Sequence, residues 1–118
     1  MREIKFRGKM PNGAWVYGSF WNHPVYPDII EDYATHRLVD RDTVGQFTGL
    51  KDKDGKEVYE GDILANSHDV RVIEWRDYQW SMVSHTHPFQ ATVPMIWIGG
   101  YKVVGNIYDN PGLLERRS

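Results

Sequence analysis

The chain has 118 residues, 41% of them hydrophobic and 25% charged, a balance that suits one globular domain with a small core. Fourteen basic against sixteen acidic side chains leave a formal charge of −2, without the strong positive balance of a protein that lives on nucleic-acid backbone. There is no cysteine, so disulfide staples, cysteine-ligated zinc and thiol catalysis are excluded.

The N-terminus, MREIKFRGK, alternates charge and has no apolar signal core. No apolar run approaches the ~20 residues needed to span a bilayer, so the expectation is a soluble, cytoplasmic protein with no membrane partner. Ile4 and Phe6 alternate with Lys5 and Arg7 in the period-two pattern of a half-buried strand. Pro11-Asn12-Gly13 is a turn, and Ala14 to Trp21 (AWVYGSFW) reads as the return strand, so residues 1–21 are predicted to form a hairpin. NHPVYPD, from Asn22 to Asp28, carries two prolines and makes a poor regular element. Ile29 to Val39 fits either a loose helix or a short strand, and the pattern leaves both open. Thr43 to Phe47 is the next strand candidate.

The segment TGLKDKDGKEVYEGDIL, from Thr48 to Leu64, raises the question of a metal or phosphate loop. A calcium loop needs oxygen ligands before and after its central glycine, but with Gly55 in that place the first position is Leu50 and the last is Gly61. A phosphate loop needs an earlier glycine and a hydroxyl after the lysine, whereas Gly55-Lys56 is followed by Glu57. What remains is turn chemistry. Asp54-Gly55 supplies one turn and Glu60-Gly61-Asp62 a second, which makes residues 43–64 a hairpin block.

Val70 to Val83 (VRVIEWRDYQWSMV) reads as two strands about a turn at Arg76-Asp77, with Val70, Val72 and Glu74 on one face and Arg71, Ile73 and Trp75 on the other. Gly99-Gly100, between TVPMIWI and YKVVGNIY, is predicted to turn a C-terminal hairpin over residues 92–108. Asn110-Pro111-Gly112 and Leu113-Leu114 close the chain. Five Trp and seven Tyr in so short a chain favour pleated, half-buried surface. The predicted fold is mainly β: a small barrel or sandwich of short antiparallel strands and hairpins, with at most one or two short helices.

Three blocks, MREIKFRGK, TVGQFTGLKDKDGKEVYEGDIL and VVGNIYDNPGLL, together make the sequence resemble the YopX family of phage and prophage proteins. They frame nearly the whole chain. The stretches between, about residues 20–42 and 65–100, carry no part of the resemblance. The resemblance implies a single β-rich domain over residues 1–118, encoded by a bacteriophage or prophage and acting in the bacterial host cytoplasm. It brings no catalytic residues and no cofactor.

Candidate chemistry is sparse. His85 and His87 face one side of an extended segment and would need a third metal ligand, such as His68, Asp69 or His23. The plainer reading is a pair of loop histidines before Pro88. No serine lies in a nucleophile elbow. Glu31-Asp32 and Asp40/Asp42 read as solvated loops or turn caps. Tyr78, Trp80 and Met82 share one parity and are interaction candidates, whereas Trp75 and Trp97 are expected in the core. Arg2, Lys5, Arg7 and Lys9 crowd the first strand and are expected to be solvated, with Lys5 and Arg7 the candidates for a basic patch.

The leading expectation is therefore a non-enzymatic phage accessory protein that binds a host or phage protein and self-associates. The alternatives are a nucleic-acid-binding module built on the basic first strand and exposed aromatics, and a metal-dependent hydrolase centred on His85 and His87.

Overall fold

The computed structural model describes residues 4–32, 35–76, 78–84 and 92–114, with the side chains of 31, 32, 92 and 94 excepted. The strands are β1 (Phe6–Lys9), β2 (Trp15–Trp21), β3 (Asp28–Asp32), β4 (Thr35–Leu38), β5 (Asp40–Lys51), β6 (Glu57–Tyr59), β7 (Asp62–Ala65), β8 (Val70–Arg76), β9 (Gln79–Val83), β10 (Thr92–Pro94) and β11 (Lys102–Asn106). Two short 3-10 helices, Met95–Gly100 and Pro111–Leu114, complete the described elements. One sheet has the order β4-β3-β2-β1-β5-β6 and the other β10-β9-β8-β7-β11. Every pairing described is antiparallel. The mainly-β expectation is met, and both sheets are open, so neither closes into a barrel among the described residues.

The chain divides into two compact units, residues 1–49 and 50–118, with β5 running across the boundary. In the first unit, the Asn12 side chain accepts the Ala14 N–H at 2.9 Å and fixes the turn between β1 and β2. Of the ambiguous segment from Ile29 to Val39, the described residues 29–32 and 35–38 are strand, and Ile29 pairs with Arg37 across the β3–β4 ladder. Val16, Ile29 and Val39 form the buried centre, with Phe6, Met10, Phe20 and Val44 packed against it. Phe6, Val16, Phe20 and Ile29 all occupy the same face by register, since Phe6 opposes Gly18 and Phe20 opposes Ile29.

The second unit is organised by the block read as turn chemistry. Asp52 is nearly buried, and its carboxylate accepts the N–H groups of Asp54, Lys56 and Val103, each at 2.9 Å. Gly55 takes φ 83°, the left-handed conformation the turn needs. Asp62 is buried and its Oδ2 accepts the Tyr59 N–H at 2.8 Å, holding the second turn. Val58, Leu64, Ile73, Met82, Ile98 and Tyr101 make the core, and Val72 and Ile73 are both buried, so β8 is covered on both faces there.

Three expectations are corrected in this unit. Gly99-Gly100 does not turn a hairpin. It ends the helix Met95–Gly100, and β10 and β11 lie at opposite ends of their sheet, paired with β9 and β7. Pro94 has no N–H to give a ladder, which suits it to the edge strand β10 but stops the strand before the two glycines. Trp75 and Trp97 are not core residues: both are more than half exposed, Trp75 near the end of β8 and Trp97 on the helix whose only buried residue is Ile98. Met82, placed on an exposed stripe with Tyr78 and Trp80, is fully buried.

Candidate interaction face

Alternation along β2 sends Val16 and Phe20 to the core and Trp15, Tyr17, Ser19 and Trp21 to the opposite face. The register carries this outer face across the sheet. Arg7 opposes Tyr17, Lys9 opposes Trp15, Trp21 opposes Asp28, and Asp28 opposes Leu38. One cross-strand row therefore reads Leu38, Asp28, Trp21, and the next reads His36, Ile30, Ser19. Asp28 Oδ2 lies 3.8 Å from His36 Nδ1, linking the two rows. Trp21, Tyr17 and Leu38 are each about half exposed, which is unusual for three large side chains on one face.

The cations of β1 are not simply solvated as expected. The Arg7 guanidinium lies 4.7 Å from the centre of the Trp15 ring and is 5% exposed; Lys9 Nζ approaches the same ring at 6.0 Å, and Lys5 Nζ is 5.2 Å from Phe47. Each pairing gains from the ring's negative face. The result is a face on which rings and cations hold one another in place.

Beyond Trp21 the chain enters NHPVYPD, which has no regular structure but is held by its own side chains. His23 Nδ1 accepts the N–H groups of Val25 at 3.1 Å and Tyr26 at 3.0 Å. With Nδ1 an acceptor, the imidazole proton sits on Nε2. The His23 ring stacks on Tyr26, with centroids 5.7 Å apart, and meets Trp21 edge-on at 4.9 Å. Arg41 donates from Nε to Asn22 Oδ1 at 2.7 Å and from Nη2 to the His23 carbonyl, tying the loop to β5. Val25 and Tyr26 are thereby displayed, at more than 60% exposure, beside half-exposed Trp21.

The other predicted residues are scattered. Tyr78 is almost wholly exposed and takes φ 64° at the turn between β8 and β9, which breaks the parity that grouped it with Trp80. Trp80 packs against the second core and meets Trp75 edge-on at 5.0 Å; its Nε1 is buried and meets no acceptor among the described residues. Asp40 Oδ1 accepts the Asp42 N–H at 3.0 Å, but both residues lie in strand β5 rather than in a loop or turn. His85 and His87 lie outside the described residues. Of the third ligands considered for them, His23 has Nδ1 engaged by the backbone. Asp69 is held by the Arg71 guanidinium and by the Tyr101 hydroxyl at 2.9 Å. Burial raises the Asp69 pKa, but the bonds from Arg71 and Tyr101 and the Arg71 charge outweigh it, leaving the carboxyl below its usual range. Burial and the Asp69 carboxylate together push Tyr101 up. This network ties the start of β8 to Tyr101. No group of three His, Asp or Glu side chains suited to a metal occurs among the described residues.

Sequence reasoning did not group Trp21, Tyr26 and Leu38: the prolines marked the loop of Tyr26 only as irregular, Leu38 fell in the segment left open between helix and strand, and His23 was weighed only as a metal ligand. The available signal was the parity of Trp15, Tyr17 and Trp21, shared with Lys5, Arg7 and Lys9 once β1 and β2 are paired.

No helix among the described residues is long and apolar enough to cross a membrane. No curated protein matches the chain. Among solved structures it is similar to the crystal structure of protein EF1440 from Enterococcus faecalis, with 25% identity over 98% of this chain and 100% of that chain and a TM-score of 0.59. The family model for the YopX protein matches residues 13–115, from the β1–β2 turn past the last helix. The chain belongs to the YopX family.

Proposed function

We propose that the protein is a protein-binding module whose contact surface is the outer face of the first unit, centred on Trp21. The observation that carries this is the half-exposed row of Trp21 and Leu38 about Asp28, extended by Tyr26 on a loop held by its own hydrogen bonds. Rigid, displayed Trp and Tyr rings beside arginine are the composition of binding hot spots, because they bury large area at little entropic cost. Tyr78 and Trp80 contribute less, since only Tyr78 is displayed. The family resemblance makes a phage or prophage accessory role in the bacterial cell the setting, with a host or phage protein as partner.

The test is affinity capture of the tagged protein from host lysate, with and without nuclease, using wild type and Trp21→Ala. The expected result is a stoichiometric protein that survives nuclease and is lost with Trp21→Ala. A partner retained in full by Trp21→Ala would contradict the reading. A second reading, nucleic-acid binding, rests on Lys9 beside Trp15 on this face, since Arg7 is buried. It requires recovery that vanishes with nuclease and weakens steeply with salt.

A further inference from the structure

Among the described residues β4 ends its sheet, and its ladder to β3 determines what it shows to the outside. The Val39 N–H donates to the Pro27 carbonyl at 3.0 Å, immediately beyond the strand. In an antiparallel ladder, hydrogen-bonded and non-bonded pairs alternate. Counting back from Val39, Arg37 with Ile29 is a bonded pair, and Leu38 with Asp28 and His36 with Ile30 are the non-bonded pairs. The main-chain N–H and C=O of His36 and Leu38 are therefore turned away from β3, toward the open side of the sheet. The side chains of His36, Arg37 and Leu38 are all exposed.

We infer that β4 is a strand-pairing site that takes an extended segment of a partner protein, with a carboxylate side chain opposite Arg37 and an apolar one opposite Leu38. This deepens the protein-binding reading above and rests on it. Main-chain bonds at His36 and Leu38 supply affinity, and the side chains directly opposite supply selectivity. An apolar residue opposite Leu38 continues the row that runs through Asp28 to Trp21. A cation on a short edge strand discourages indiscriminate pairing, so a segment that brings a carboxylate has the advantage. A second copy of β4 has no carboxylate within Thr35–Leu38 to offer Arg37, which disfavours self-pairing along this edge.

The experiment selects binders to the full-length protein from a displayed random-peptide library, then measures the enriched peptide in synthetic form. Enriched peptides should carry a carboxylate next to an apolar residue. Affinity should fall about fivefold in Arg37→Glu and recover when the peptide's carboxylate is exchanged for lysine. Amide exchange at His36 and Leu38 should slow in the complex while that at Arg37, already in the ladder, changes little. Leu38→Pro, which removes one outward N–H, should abolish binding. Peptides that bind regardless of Arg37→Glu, or that leave the His36 and Leu38 amides unchanged, overturn strand pairing; so does failure to enrich any peptide. Should such peptides still be lost with Trp21→Ala, the aromatic face stands as the contact surface and only the pairing at β4 falls.

Discussion

The two units use their polar and aromatic side chains in opposite ways. In residues 50–118 the informative polar groups are spent on backbone: Asp52 holds three N–H groups, Asp62 holds a turn, and Asn106 Oδ1 accepts the N–H groups of Tyr108 and Asp109. In residues 1–49 the cations and rings of β1 and β2 lie on one another across an outer face, and Trp21, Tyr26 and Leu38 are left displayed. The difference separates two meanings of a distinctive sequence. The longest block by which the sequence resembles the family is turn chemistry that builds a fold, whereas the displayed Trp21, Tyr26 and Leu38 lie outside the three blocks, though within the span 13–115 that the family model matches.

The comparison is broken most forcefully at Asp52. Asp52→Ala removes the acceptor of three backbone N–H bonds and should cost about 3 kcal/mol of stability by denaturant unfolding. Burial pushes the Asp52 pKa up, but the N–H bonds from Val103, Lys56 and Asp54 and the Lys56 charge prevail and leave it lowered. A carboxyl lowered in the folded state stabilises above its unfolded pKa of about 4 and loses that contribution as pH falls through the folded value. Wild type should therefore lose more stability than Asp52→Asn on acidification below about pH 4.

Next comes Gly105→Ala. A β-carbon there would sit 2.4 Å from Asn110 Oδ1, the acceptor of the Asn106 N–H. Overpacking against a bonded side chain should cost about 2 kcal/mol, read as a lower melting temperature. A smaller effect is expected from His23→Ala, at about 1 kcal/mol, with faster amide exchange confined to Val25 and Tyr26, whose N–H groups it accepts. Trp21→Ala should change stability least, by under about 1 kcal/mol, because half the ring already faces solvent. It should nonetheless weaken the partner complex by at least about tenfold. That inversion, with least stability and most binding at one residue, sharpens the contrast between the units.

Local chemistry made much of this legible. Asp54-Gly55 and Glu60-Gly61-Asp62 were readable as turns because positive φ and carboxylate acceptors act over a few residues. The strands β3 and β4 were not readable within Ile29–Val39, because the apolar spacing there suits two periods and the choice is made by pairing with β2. Gly99-Gly100 misled because a glycine pair permits a turn without requiring one, and the strands on either side pair elsewhere. The burial of Met82 beside exposed Tyr78 followed from the φ of 64° at Tyr78, which resets parity at the start of β9. Trp21 and Leu38 are far apart in sequence, and only the β2–β3–β4 register brings them into one row.

The most direct test of the central claim is a paired capture from host lysate with Trp21→Ala and Tyr78→Ala, each checked for wild-type melting. The account predicts that Trp21→Ala loses the partner while Tyr78→Ala keeps it. Loss with Tyr78→Ala and full retention with Trp21→Ala would contradict it, and would move the contact surface to the second unit.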